Sequence, residues 1–82
     1  MAALRLVIIE DEQAHFQLMK RAIHKAFPDA SVEHFTEADI CLQRLSAITP
    51  DVIITDYLIP GMNGIEFLKA AKGKDKDIPV II

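Results

Sequence analysis

Four aliphatic runs alternate with three segments of helical period along the chain. Residues 4–9 are almost continuously aliphatic, the pattern of a strand buried on both faces. Over residues 12–27 the period changes. Phe16, Met19, Ile23 and Phe27 recur at spacings of three and four, which predicts a helix with one buried stripe. Pro28-Asp29 ends it. Residues 31–35 are shorter and more polar, as suits an edge strand. Thr36 then reads as the N-cap of a second helix, with Glu37 and Asp39 in its first turn, where the helix dipole favours acids. Ala38, Cys41, Leu42, Leu45 and Ile48 form its apolar face, and Thr49-Pro50 breaks it.

Residues 51–55 read as a third strand, β-branched and two-sided. Pro60, Gly61, Asn63 and Gly64 mark a loop. A third helix is expected over residues 64–72, with Ile65, Leu68 and Ala71 facing inward. Residues 73–77 form a polar loop, and 78–82 open a fourth strand. The order β-α-β-α-β-α-β implies a doubly wound α/β fold, a parallel sheet with helices on both faces. Its crossovers should be right-handed. The whole of residues 1–82 reads as one domain, without repeats, low-complexity tracts or a linker.

Composition narrows the function classes. The chain has 82 residues, so one small domain is the ceiling. At 51% hydrophobic it is not a disordered chain. A net charge of -3 argues against nucleic-acid binding. The apolar runs are strand-length, which argues against a membrane span. Cys41 is alone, so it forms no internal disulfide, and a reducing cytoplasm fits. It falls on a buried stripe and reads as a small core residue. Phe16, Phe27 and Phe67 also read as core. His15 and His24 fall on the first helix and His34 on the second strand. They share no face and read as surface or boundary residues rather than metal ligands. Tyr57 is expected at a site rim or in solvent, and Lys69 to Lys76 on a solvated face.

The chemistry lies in two acidic clusters. Glu10-Asp11-Glu12 directly follows the first strand, and Asp56 directly follows the third. Open α/β sheets bind ligands beyond the carboxyl ends of their strands. Adjacent strands lie about 4.8 Å apart, so side-by-side placement would bring these carboxylates into one small volume. Like charges held that close bind a cation or take up a proton. Magnesium suits a few carboxylates, several waters and a phosphate oxygen. A carboxylate can also act as a nucleophile and form an aspartyl-phosphate. Magnesium offsets the repulsion between such a carboxylate and an anionic phosphoryl donor. Asp56 is the better nucleophile candidate, because it follows its strand without an intervening residue. A solvated helix N-terminus would account for residues 10–12 alone, but not for Asp56 at the matching position.

The segments VIIEDE at residues 7–12, DYLIPGMNG at 56–64 and IPVII at 78–82 resemble, in order and spacing, the receiver domain of bacterial two-component response regulators. The resemblance spans the chain. It implies a flavodoxin-like parallel sheet in the order 2-1-3-4-5. It implies Asp56 as phosphoacceptor and Asp11 as the most direct magnesium ligand. Glu10 would be its acidic neighbour, acting through water, and the Leu58 backbone carbonyl a further ligand. A backbone ligand explains why an apolar side chain is tolerated there. Pro60 and Gly64 match the family's loop punctuation. The implied partners are a histidine kinase or phosphotransfer protein as donor and a downstream protein or output domain as reader. The chain would be a cytoplasmic signalling module rather than an enzyme.

The family also uses a Ser or Thr after its fourth strand and a Lys after its fifth. Ile82 precedes both, and the family's last helix-strand-helix portion is absent. Lys69, Lys72, Lys74 and Lys76 fall on the third helix and the following loop, so they do not supply that Lys. The expectation is a receiver incomplete at its C-terminus. The competing expectation is a dimer or partner covering the exposed fourth strand. Two other functions compete. One is a pseudo-receiver that binds partners without phosphorylation. The other is a haloacid-dehalogenase-type phosphohydrolase. That family needs a second Asp two residues after the first-strand Asp, and Gln13 stands at that spacing from Asp11.

Overall fold

The computed structural model describes residues 3–75 and 77–82; Lys76 and residues 1–2 of the expected domain lie outside the described residues. The expected elements form in the expected order. The first aliphatic run becomes β1 (Arg5–Ile9), followed by α1 (Gln13–Ala26), β2 (Ser31–Phe35), α2 (Ala38–Ile48) and β3 (Val52–Thr55). The Pro-Gly loop carries two further short strands, β4 (Leu58–Ile59) and β5 (Met62–Asn63), before α3 (Gly64–Lys74) and β6 (Val80–Ile81). The central sheet has the order β2-β1-β3-β6, and every pairing in it is parallel.

Register decides which residues share a face. Val7 and Ile9 align with Ile53 and Thr55 on one side and with Glu33 and Phe35 on the other. This row faces α2 and α3. Its core holds Val7, Ile9, Phe35 and Ile53 with Cys41 and Leu45 of α2 and Phe67 and Ala71 of α3. The alternate row of Ile8, His34 and Ile54 lies on the other face, where Phe16 of α1 stacks on His34. Helices therefore cover both faces, as the alternating pattern predicts. Cys41 sits fully buried in the core, and burial pushes its thiol pKa up to about 12.

Four expectations are corrected. Phe27 is 55% exposed, not core. It is the C-cap of α1, and its φ of −133° takes the chain off the helical path before the stripe reaches it. Thr36 is not the cap of α2. The cap is Glu37, without a side-chain cap bond, because the helical ladder begins with Cys41 N–H donating to Glu37 O. The inward stripe of α3 is Gly64, Phe67 and Ala71, while Ile65 is exposed. Ala71 is buried as expected and Leu68 is half-buried, while the large Phe67 ring takes the core position in place of Ile65. Lys72 is not simply solvated: its ammonium donates to the Ile78 carbonyl and ties the end of α3 to the approach of β6.

The expected fourth strand pairs only at Val80–Ile81. Pro79 has no N–H to donate, yet its carbonyl accepts from Ile53 N–H at 2.9 Å. At the opposite end of the sheet, Arg5 and Asp51 hold the β1–β3 register. Arg5 N–H donates to the Asp51 carboxylate at 2.7 Å, and Asp51 N–H returns to Arg5 O at 2.8 Å.

The β4–β5 hairpin turns on Pro60-Gly61, and Gly61 has a φ of 95°. A positive φ at the second central residue is what a type II turn requires, and proline suits the first. Asn63 then caps α3 through a capping box. Its side chain accepts from Glu66 N–H at 2.9 Å, and the Glu66 carboxylate accepts from Asn63 N–H at 3.0 Å. Gly64 N–H donates to Tyr57 O at 2.6 Å. A Cβ at Gly64 would lie 3.1 Å from Asp56 O and 3.1 Å from Tyr57 Cα. Both obstacles are backbone. Glycine thus lets α3 press directly against the turn that follows β3.

Two outcomes follow from this packing. Phe67→Ala should lose about 3–5 kcal/mol of stability, measured by denaturant unfolding. Gly64→Ala should lose about 1–3 kcal/mol, because the close contacts are backbone that must shift. A Gly64→Ala protein as stable as its parent would show that the turn yields.

Candidate functional site

The parallel β1–β3 register pairs Ile9 with Thr55, the last residue of each strand. Glu10 and Asp56 come next after the two strands, so the two acidic segments leave the sheet side by side. Adjacent strands put them about 4.8 Å apart at their roots. The side-by-side placement of the two strand ends is what the sequence predicts.

The carboxylates differ in environment. Glu10 is 5% exposed, whereas Asp11 and Asp56 face solvent. The Glu10 carboxylate turns back on its own loop and accepts from Glu12 N–H at 3.3 Å. Buried acids need such partners. Thr55, also buried, donates its hydroxyl to the Asp56 carbonyl at 3.1 Å and ties down the turn. Tyr57 is exposed, as expected of a rim residue.

The hairpin supplies the third side. A cleft of about 480 Å³ is lined by Asp11 together with Leu58, Ile59, Pro60, Gly61, Met62 and Asn63. Asp11 and Leu58 therefore border one space, with Asp56 two residues before Leu58. The hairpin itself is missed by sequence reasoning, because two-residue strands leave no periodic signal. The capping box has a sequence signal, Asn63-x-x-Glu66, which the reading of Asn63 as a loop residue passes over.

Among the described residues, no three His, Cys, Asp or Glu side chains converge into a metal cage. Magnesium does not need one, since it keeps several waters and takes one or two carboxylates. Asp11 and Leu58 line the cleft and Asp56 stands two residues before Leu58 in the chain; carboxylate and carbonyl oxygens are the hard donors that magnesium takes.

Two of the histidines sit closer to the site than their sequence positions suggest. His15 Nδ1 lies 3.7 Å from the Glu10 carboxylate, and its Nε2 lies 3.5 Å from that of Glu12. His34 Nε2 lies 2.8 Å from the Glu10 carbonyl, and its ring stacks on Phe16 with centroids 3.7 Å apart. The expectation that the histidines share no face misses this, because the two approach Glu10 from different elements. His24 is separate and bonds the Ala30 carbonyl at 2.9 Å. No described helix is long and apolar enough to cross a membrane.

Comparison with known proteins agrees with this architecture. A family model for the response regulator receiver domain matches residues 6–82. A protein-glutamate methylesterase/protein-glutamine glutaminase of Treponema denticola is 34% identical over all of this chain, which spans 22% of that protein. A response regulator structure from Chloroflexus aurantiacus superposes with a TM-score of 0.87 at 22% identity, over 96% of this chain and 65% of that one. The chemotaxis response regulator CheY4 of Vibrio cholerae gives 0.84 at 25% identity, over 96% of this chain and 66% of that one. The flavodoxin-like reading of the sheet holds in these neighbours. With its parallel sheet, its paired acidic strand ends and a family match over nearly its whole length, this chain belongs to the response regulator receiver domain family.

Proposed function

We propose that this chain accepts a phosphoryl group on Asp56 from a phosphohistidine of a histidine kinase or phosphotransfer protein. The observation that carries the reading is the β1–β3 register, which sets Asp56 beside the acidic turn at the carboxyl edge of the sheet. An Asp56 carboxylate oxygen attacks the phosphorus of the donor. The P–O bond forms as the donor's P–N bond breaks. The electron pair stays on the donor imidazole nitrogen, which the surrounding solvent protonates. The product is a mixed carboxylic–phosphoric anhydride at Asp56.

Asp11 and Asp56 would hold Mg2+ through their carboxylates and Leu58 through its backbone carbonyl, with Glu10 acting through water. The ion supplies charge neutralisation between phosphoryl oxygens and carboxylates. Exposure of Asp56 suits its role, since a protein donor must reach it. The bonds from Thr55 to the Asp56 carbonyl and from Gly64 to Tyr57 restrict the backbone on both sides of the acceptor, which favours a fixed attack geometry.

The output is a change in contacts with a downstream protein or output domain. The chain acts as a signalling module in the cytoplasm rather than as an enzyme with turnover. The methylesterase named above, of which this chain spans 22%, supports an activity carried by a different segment of that protein. The outer side of β6 would pair with a further strand, supplied by the same protein or by a partner.

Asp56→Asn should reduce acyl-phosphate labelling from radiolabelled acetyl phosphate and Mg2+ to background, with the fold retained by circular dichroism. Labelling at the parental level in that variant would remove Asp56 from the role.

A further inference from the structure

The acidic turn after β1 is held from β2 as well as from its own strand. Glu10 N–H donates to Phe35 O at 2.9 Å, continuing the β1–β2 ladder one residue past the strand. His34 Nε2 meets the Glu10 carbonyl at 2.8 Å. A carbonyl only accepts, so Nε2 carries the proton in this bond. Both peptide planes that flank Glu10 are therefore fixed by residues of β2.

The second plane matters most. The Glu10 carbonyl and the Asp11 N–H belong to one rigid peptide unit. Fixing that carbonyl fixes the plane from which the Asp11 Cα departs. The His34 ring is in turn held by Phe16, which is buried and stacks on it at 3.7 Å with an interplanar angle of 5°. Phe16 N–H donates to Glu12 O at 3.1 Å, so the far end of the same turn is tied to the same pair of rings. The chain 10–12 is thus clamped between a strand and a helix. The clamp does not touch the cleft itself, where Asp11 is exposed.

We infer that His34 is a positioning residue for the phosphorylation site: by donating from Nε2 to the Glu10 carbonyl, it sets the direction in which Asp11 presents its carboxylate to a divalent cation. This rests on the proposed magnesium role of Asp11. The residue does not meet cation, phosphoryl group or donor.

Two substitutions separate its parts. His34→Phe keeps a ring to stack on Phe16 and removes the donor. His34→Gln removes the ring and keeps an amide N–H at nearly the reach of Nε2. The chain holds one tyrosine and no tryptophan, so Tyr57, next to Asp56, provides a local fluorescence signal for MgCl2 titration. His34→Phe should weaken Mg2+ binding about 10-fold, at the low end of the range seen when residues that orient metal ligands are removed. His34→Gln should stay within about twofold of the parent. Without metal, the Asp11 amide resonance should shift in His34→Phe and stay near its parental position in His34→Gln. Parental Mg2+ affinity in His34→Phe, or equal losses in both variants, would overturn the positioning role. Asp11→Asn is the control for the site itself. If Asp11→Asn binds Mg2+ as the parent does, the metal reading of Asp11 fails and the inference fails with it. If Asp11→Asn loses binding while His34→Phe keeps it, only the inference fails.

Discussion

The structure depends on one constraint, the parallel pairing of β1 with β3 in a single register. Slipping that register by one residue would turn every side chain on one strand to the opposite face. Either Val7 and Ile9 of β1 or Ile53 of β3 would leave the core they share with Phe67 and Cys41. The same slip would separate the acidic turn from Asp56. Burial and site geometry are therefore fixed together. The reciprocal bonds between Arg5 and Asp51 pin this register at the amino end, far from the site, so they support the site without touching it.

Around this axis the two acidic segments take different mechanical roles. Residues 10–12 are braced by β2, by α1 and by the inward-turned Glu10 carboxylate. Asp56 is braced by Thr55 on one side and by the Tyr57–Gly64 bond on the other. Each carboxylate that faces solvent stands on backbone that is held. Oxygen donors on fixed backbone lose less freedom when an ion or phosphoryl group arrives, which lowers the ordering penalty of binding. The glycine at position 64 belongs to this scheme through its size, because a Cβ there would push against the backbone of Asp56 and Tyr57.

Much of this was legible in the residues. Aliphatic runs gave the sheet strands, and the carboxylates after them marked the site edge, because strand period and strand-end chemistry are local signals. What was not legible depends on tertiary geometry. Phe27 continues the stripe of α1 on paper, but the backbone leaves the helix at that residue. Ile65 and Phe67 offered two possible inward stripes for α3, and packing chose the larger ring. The β4–β5 hairpin is too short to show a period, although its Pro-Gly turn was visible. The location of His34 could have been anticipated in part. Strand alternation sets it on the face opposite Phe35, under the first helix, but its bond to Glu10 needs the β1–β2 register.

The central claim is that one carboxylate, at the end of β3, receives the phosphoryl group. The direct measurement is borohydride reduction of the protein after incubation with acetyl phosphate and Mg2+, followed by peptide mass spectrometry. An acyl phosphate of aspartate is reduced to homoserine, which marks the acceptor. The account predicts homoserine at position 56 and unchanged aspartate at position 11. Homoserine at Asp11, or at any position other than 56, would contradict it.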